Sequence, residues 1–371
     1  MKTAKAEETI LEIDLKALVH NYQFLRSKIK PETKFMAVVK AYGYGSDAQE
    51  VALCLQQNDV DYFAVAYVSE GISLRTAGIT KPILVLHPQK VHFKSLIEKN
   101  LEPSIYSKTI LSEFILTAQE MGVKDYPVHL KFNTGLNRLG FSEGELPDIS
   151  KQIANQNAIK VIAILSHLAA TEDANETEFT RVQLKRFKAI CAQADTLFKN
   201  RTLKHVLNTS GIINYSDAQL DMVRSGIGLY GYGNHPEIDR QLLPVVTLKT
   251  IIAQKHVIPS GESVGYNRKY RSNSETVTAT LPLGHADGIG RQYGQGKTSV
   301  LINGQLAPII GNVCMDMIMV DVTGIECSEG DEVIIFGKGL PANEFSQTAQ
   351  TISYELITGL SQRIKRIITN N

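Results

Sequence analysis

The feature that most constrains this chain is a rhythm: short apolar runs rich in β-formers, too short to be buried helices, alternate with segments of helical spacing. The runs are FMAVVK (35–40), YFAVA (62–66), PILVL (82–86), PSIY (103–106), VHLKF (128–132), VIAILSH (161–167), LKHVLN (203–208) and MVRSGIGLYG (222–231). Most lack polar alternation, as strands covered on both faces should. Between Asp14 and Ile29, Asp14 is placed to cap a helix whose apolar face is Leu15, Leu18, Val19, Tyr22 and Leu25, and Pro31 stops it. Residues 46–57 and 176–198 show the same pattern, and shorter helices are expected after 69, 91, 108 and 211. Eight strands alternating with helices predict an α/β fold, a closed (β/α)8 barrel over residues 15–240.

Beyond residue 241 the texture changes. PVVTLKTIIAQKHVI, TVTATLPL, TSVLINGQLAPII, MIMVDVT and DEVIIFG are separated by Gly, Pro, Asn and Asp clusters, which predicts a second, all-β domain over 241–371. The opening ETILEIDL also alternates, so residues 1–14 read as a strand available to that second domain.

Composition removes several function classes. Thirty-nine basic against 38 acidic residues leave no electrostatic footprint for nucleic acid or an anionic membrane surface. Cys54, Cys191, Cys314 and Cys327 show neither a paired framework nor CxxC spacing, so a reducing cytoplasm is expected and a metal site is not. The start of the chain has no apolar signal core, and no run approaches the length of a membrane span. A soluble cytoplasmic protein with a small-molecule substrate is the expectation.

Barrel chemistry gathers at the carboxyl ends of the strands, and phosphate commonly binds after strands seven and eight. Here the first run ends in Lys40, the fifth leads into KFNTGLNRLG, the sixth ends at His167, the seventh in NTSG, and the eighth carries Arg224 and GIGLYG. A lysine at a barrel mouth, poorly hydrated, can lose its proton and attack a carbonyl; taken alone, such a lysine is more often a snorkelling surface residue. NTSG and SGIGLYG offer hydroxyls and backbone N–H groups suited to a phosphate, or else they are tight turns. GIGLYG matches the dinucleotide spacing, but no acid follows about twenty residues on and no βαβ unit continues, so that reading is rejected.

Taken in order, VVKAYGYG, KFNTGLNRLGF, VLNTSG, VRSGIGLYGYG, VGYNRKY, PLGHADGIGR, GNVCMDMIMVDVT and TISYEL resemble the successive motifs of alanine racemases across nearly the whole length. The resemblance implies pyridoxal 5'-phosphate as cofactor, an amino-acid substrate, and a head-to-tail homodimer with shared active sites. Lys40 would carry the cofactor and act as base on one face of the α-carbon; Tyr266 of the second subunit would be the base on the other. Tyr44, Asn208, Thr209, Gly226, Ile227 and Tyr354 would hold the cofactor's phosphate end. Arg224 would meet the pyridine nitrogen, and His167 would flank the ring and link Arg224 to Tyr266. Arg138 and the backbone of Met315 would hold the substrate carboxylate. Supply of D-alanine for peptidoglycan is the implied setting.

Racemisation removes a proton from one face and returns one to the other, so two acid/base groups must flank a planar centre. A tyrosine can serve if neighbouring positive charge lowers its ordinary value of about 10. Lys131 and Arg138 share one loop, and two cations there repel unless something negative intervenes; Lys131 is a candidate for carbamylation, against an ordinary lysine neutralised by an acid or bound anion. Cys314 reads as a small core residue, Asp316 as structural, and Asp287 as either a turn residue or part of an entry gate. The chain departs from the family pattern at KAYGYGSD, Asn133, His285 and Ser353, and none of these touches a proposed base. Rival readings are a serine, lysine or broad-specificity racemase, a barrel decarboxylase lacking its usual triple-glycine loop, and a non-catalytic pyridoxal-phosphate protein, which would lack the second domain.

Overall fold

Runs of β-branched and aromatic residues without polar alternation can be satisfied only where both faces are covered, and the chain does this by closing them on themselves. In the computed structural model, which describes residues 6–369, β1 (Ile10–Asp14) is followed by β2 (Lys34–Val38), β3 (Tyr62–Val65), β4 (Ile83–Val85), β5 (Glu102–Ile105), β6 (Tyr126–Lys131), β7 (Ile159–Leu165), β8 (Leu203–His205) and β9 (Met222–Ser225). Strands β2 to β9 pair in parallel and close as a barrel, with Met36 opposite Arg224 and Ala37 opposite Ser225 at the seam. The expected α/β barrel is present.

The helices cover the outside. Asp14 caps Leu15–Arg26 by accepting the amide N–H groups of Lys16 and Ala17 at 2.9 and 3.0 Å, and the helix buries Ala17, Leu18, Tyr22 and Leu25. It ends before Pro31 is reached; Arg26 folds over the carbonyls of Lys30, Pro31 and Thr33 and satisfies them. The expected helices at 46–57 and 176–198 are Ala48–Gln57 and Thr177–Leu197. Two helices of this region were not anticipated, the short Pro236–Asp239 and the longer Leu146–Ala154, the latter with Pro147 in its first turn, where proline is tolerated because that N–H has no helical partner.

The second domain is mostly strand: β10 (Val246–Ile251), β11 (Gln254–Ile258), β12 (Ser263–Val264), β13 (Tyr270–Arg271), β14 (Thr276–Leu281), β15 (Ser299–Ile302), β16 (Gln305–Ile310), β17 (Ile318–Asp321), β18 (Glu332–Phe336) and β19 (Lys365–Thr369). Its nine-stranded sheet runs β11-β14-β17-β16-β15-β18-β10-β1-β19, so β1 lies antiparallel to β10 and parallel to β19. Residues 1–5 of the opening segment and the last two residues of the chain lie outside the described part. The domain is not all β: Ala342–Gln347 and Ser353–Thr358 are short helices. No described helix is long and apolar enough to cross a membrane.

Candidate active site

Lys40 stands just past β2, not within it, because the strand stops at Val38 and the backbone turns left-handed. Ala41, Tyr42, Gly43, Tyr44 and Gly45 have φ of 53, 57, 62, 54 and 81°. For residues with a Cβ this conformation costs roughly 1–2 kcal/mol each, so surrounding contacts must hold it. Gly45 is needed for space as well as for its φ: a Cβ there would lie 1.9 Å from the Ile357 carbonyl oxygen. The turn is therefore pressed against the helix Ser353–Thr358 of the second domain. Its effect is to aim Lys40 into the mouth and to bury Tyr44, whose ring stacks on Tyr230 at 4.6 Å.

The mouth is cationic. Burial, then Arg138, hold the Lys40 amine below its ordinary value, with Glu70 opposing. Lys131, at the end of β6, is pushed down to about 8 by burial and by Arg138, Arg224 and Lys40. His167, after β7, is held well below its ordinary value by burial and by the same cations, so it is neutral. Arg138 itself is exposed on the loop after β6. That loop is shaped by Asn133, whose Oδ1 accepts the N–H groups of Gly135 and Asn137 at 3.1 and 3.0 Å. The side chain at this departure from the family pattern thus builds a turn and leaves Lys131 without a carboxylate from that position.

Arg224, on β9, is buried and lowered to about 10 by desolvation. Its Nη1 donates to His205 Nδ1 at 2.7 Å and to the His205 carbonyl at 3.1 Å; its Nη2 donates to the carbonyls of Ser166 and Val206 at 2.6 and 3.2 Å and to His167 Nδ1 at 3.3 Å. Among the described residues only Nε is left without a protein acceptor. Because guanidinium cannot accept, His205 must carry its proton on Nε2. That N–H meets His129 Nδ1 at 3.3 Å, and His129 Nε2 then donates to Glu102 Oε2 at 2.8 Å. A buried polar line therefore crosses the barrel from Arg224 to Glu102. His205, His129 and Glu102 were not anticipated from sequence, because they sit within strand runs and belong to no motif; a histidine in a strand that is otherwise apolar was the one available sign.

Around β8 and β9 the expected phosphate groups converge. Thr209 Oγ1 lies 2.9 Å from Ser225 Oγ and accepts the Gly228 N–H at 3.4 Å. Gly226 lets the Tyr44 hydroxyl approach the backbone: a Cβ there would lie 2.1 Å from Tyr44 Oη. Ile227 opens the turn Ile227–Tyr230 and is buried. Asn208 uses its Oδ1 to cap Thr209–Asn214, taking the Gly211 N–H at 2.9 Å and the Thr171 hydroxyl at 2.7 Å. Tyr354 arrives from the second domain, its hydroxyl accepting from Asn234 Nδ2 at 3.2 Å. Hydroxyls and bare backbone on one side, a poorly hydrated amine on the other and a single deep donor between them form a donor set suited to a phosphorylated aldehyde with a ring nitrogen.

Tyr266 and Met315 are placed differently. Tyr266 lies between β12 and β13 with 70% of its surface exposed, and Met315 is 60% exposed. Gly265, Asn267 and Arg268 have φ of 75, 55 and 51°, and Asn312 Nδ2 donates to the Tyr266 carbonyl at 3.0 Å. Within one chain His167 reaches Arg224 but makes no bond to Tyr266 among those described. Asp287 forms a two-pronged ion pair with Arg363 at 2.7 and 2.9 Å and takes the Gly284 N–H at 2.9 Å; Asp316 joins the same arginine at 2.6 Å. These pairs fasten the loop bearing exposed His285 to the one bearing Met315, where Ala286 N–H donates to the Met315 carbonyl at 3.0 Å. Cys314 is raised by burial and donates only weakly to the Asn312 carbonyl, as a packing residue would.

Comparison with known proteins covers both domains. Residues 13–234 match the family described as alanine racemase, N-terminal domain, and residues 245–368 match alanine racemase, C-terminal domain. Alanine racemase 2 of Caldanaerobacter subterraneus subsp. tengcongensis is 35% identical over 97% of this chain and 94% of its own. A solved alanine racemase of Clostridium difficile 630 superposes with a TM-score of 0.91 at 32% identity, over 98% of this chain and 97% of that one. The alanine racemase of Bartonella henselae with covalently bound pyridoxal phosphate does so with a TM-score of 0.89 at 31% identity, over 98% and 100%.

Proposed function

The chain belongs to the alanine racemase family and is an amino-acid racemase, and from that premise we propose that it interconverts L- and D-alanine by a two-base mechanism in which Lys40 and Tyr266 of a second copy act on opposite faces of the α-carbon. The observation that carries this reading is the half-buried Lys40 amine, held below its ordinary value at the same mouth where the Tyr44 hydroxyl packs on the bare backbone of Gly226. Pyridoxal phosphate, when bound, supplies the electron sink that acidifies the α-hydrogen of the amino acid.

The chain's own groups do the rest. Tyr44, Thr209, Tyr354 and the backbone at Gly226 and Ile227 would hold the phosphate, with Asn208 shaping the turn. Lys40 would anchor the cofactor and carry the proton on its own face; a lowered pKa leaves more of the amine neutral at working pH, as a base and nucleophile needs. Arg224 Nε would donate to the ring nitrogen, which must then stay an unprotonated acceptor, and this moderates the sink. Neutral His167 accepts from Arg224 at Nδ1, so its proton is on Nε2, available to the oxygen of an incoming phenol. Arg138 and the Met315 amide would hold the substrate carboxylate. Exposed Tyr266 and Met315 are consistent with a homodimer whose sites are shared.

Lys131 fits a carbamate: three cations press on it, and at about 8 it supplies the neutral amine that adds carbon dioxide and releases a proton. Native mass measurement after labelled bicarbonate would find the added mass on residue 131. D-alanine made this way would serve peptidoglycan synthesis. The deciding experiment is turnover of a panel of L-amino acids with chiral detection of product. Alanine should lead; equal turnover of serine or lysine would favour a broad-specificity racemase, and no turnover with bound cofactor would favour a non-catalytic role.

A further inference from the structure

Lys40 shares its mouth with two cations and two histidines. Arg138 and Lys131 face it from β6 and the loop that follows, His167 from the end of β7, and His87 from the end of β4. Among the described residues, the one carboxylate acting on it is Glu70, on the helix Val68–Thr76 that follows β3.

Glu70 also touches the backbone that aims Lys40. One carboxylate oxygen, Oε1, takes the Ala41 N–H at 2.6 Å; the other, Oε2, takes the N–H groups of Ala66 and Tyr67 at 2.7 and 3.0 Å. Ala41 is the first residue of the left-handed turn. The far end of that turn is held independently, by Arg366 of β19 donating to the carbonyls of Gly45 at 3.0 Å and Ser46 at 3.3 Å. A left-handed run does not persist unless its surroundings over-determine it, and these two grips supply that at its two ends.

We propose that Glu70 is a positioning residue for Lys40: its two carboxylate oxygens tie the amide beside Lys40 to the amino end of the neighbouring helix, and so fix both the direction of the lysine and the place of a negative charge beside it. This rests on the reading of Lys40 as the cofactor-bearing residue. A carboxylate is required for the role. Glutamine has one accepting oxygen where two are used, and aspartate is a methylene too short to reach both partners.

The test is addition of pyridoxal phosphate to wild type, Glu70→Gln and Glu70→Asp across the neutral to alkaline range, reading the visible band of the lysine-linked cofactor and mapping the linked residue by borohydride trapping and peptide mass. Glu70→Gln should bind about tenfold more weakly through the lost charge-assisted bonds. Its attachment midpoint should also move to lower pH, because the anion that favours the charged amine is gone. Glu70→Asp should restore the midpoint and not the affinity, a split that a merely structural residue would not give. Amide exchange should quicken in residues 40–46 of both variants. Wild-type affinity and midpoint in Glu70→Gln would overturn the proposal. If that variant fails to fold, wild-type affinity in Glu70→Asp would do the same. Trapping of wild-type cofactor at a residue other than 40 would instead overturn the reading of Lys40 itself.

Discussion

The turn after Lys40 and the turn around Tyr266 are both left-handed, yet they are held in opposite ways. The first is buried at Gly43, Tyr44 and Gly45, shut against Ile357, and gripped by Glu70 and Arg366. The second stands in solvent, with one buried side chain, Asn312, on its carbonyl. Strain held at both ends within one chain is what the proposed cofactor-bearing side of the site requires. Strain that is left open, beneath an exposed tyrosine and methionine, is what the proposed sharing of the site between two copies requires.

The sharpest way to break this contrast is to remove each base in turn. Lys40→Ala should lose activity by about 10⁴-fold or more, together with the visible cofactor band, since anchor and base disappear at once. Tyr266→Phe should keep the band and lose about 10³-fold in turnover, while one enantiomer still exchanges its α-hydrogen with deuterated solvent. If sites are shared, mixing the two dead variants should restore about a quarter of wild-type activity, because half of randomly mixed dimers then contain one intact site. Failure of the mixture to regain activity, with subunit exchange demonstrated, would mean that Tyr266 serves its own chain.

The turn after Lys40 also stands over a polar line that runs through the barrel interior. His129→Leu leaves the His205 Nε2 proton and the Glu102 carboxylate facing each other across an apolar gap, with the Tyr62 hydroxyl at 3.4 Å still on Glu102 and the Arg75 charge nearby. Losing the hydrogen bond from neutral His129 to a partly buried carboxylate, and the one it accepts from His205, should lower the unfolding free energy by about 2–3 kcal/mol, read by denaturant titration. A loss under about 1 kcal/mol would show that the line across the barrel is spectator polarity.

Lys131 gives a smaller effect with a definite sign. Its folded value of about 8 lies below the roughly 10.4 of an unfolded lysine, so between those limits the unfolded chain binds more protons and stability rises with pH. Below that window the folded state carries the full penalty, and Lys131→Met should recover about 2–3 kcal/mol near neutrality and flatten the slope. A carbamate would reverse this, placing an anion among Lys40, Arg138 and Arg224, and the methionine variant would then destabilise. Thermal melts with and without carbon dioxide distinguish the two.

What could be read beforehand follows the same division. The barrel was legible because burial on both faces writes itself into local composition, and Asp14 announced its helix by position alone. Leu146–Ala154 was obscured by Pro147, a helix-start residue easily taken for a breaker, and β19 by its charged, weakly alternating KRIIT. Glu70, His205 and Glu102 were invisible for a different reason. The partners of His205 and Glu102, and the Ala41 amide that Glu70 takes, lie on other elements, and no spacing along the chain encodes a contact made only by closure of the barrel; the bonds of Glu70 to Ala66 and Tyr67 are local and follow the spacing of a helix cap. Tyr266 was the converse: named by its motif, while its ring stands largely in solvent in its own chain.

Asn312 offers the smallest and most selective perturbation. Its Nδ2 holds the Tyr266 carbonyl at 3.0 Å, and its Oδ1 accepts from Gln295 Nε2 at 3.2 Å, so it is fixed from behind while fixing the turn in front. Asn312→Ala removes both of these neutral hydrogen bonds; the one to the Tyr266 carbonyl, worth about 1 kcal/mol, is the one that bears on the phenol, so turnover should fall about fivefold. Because the left-handed backbone at Gly265, Asn267 and Arg268 is then freer to relax, the loss should fall on the half-reaction that needs the phenol. Solvent exchange on the Lys40 face and the cofactor band should be unchanged. An equal loss on both faces would mean that the two half-sites are mechanically coupled through the second domain, and the contrast between a closed and an open turn would no longer describe how this molecule divides its chemistry.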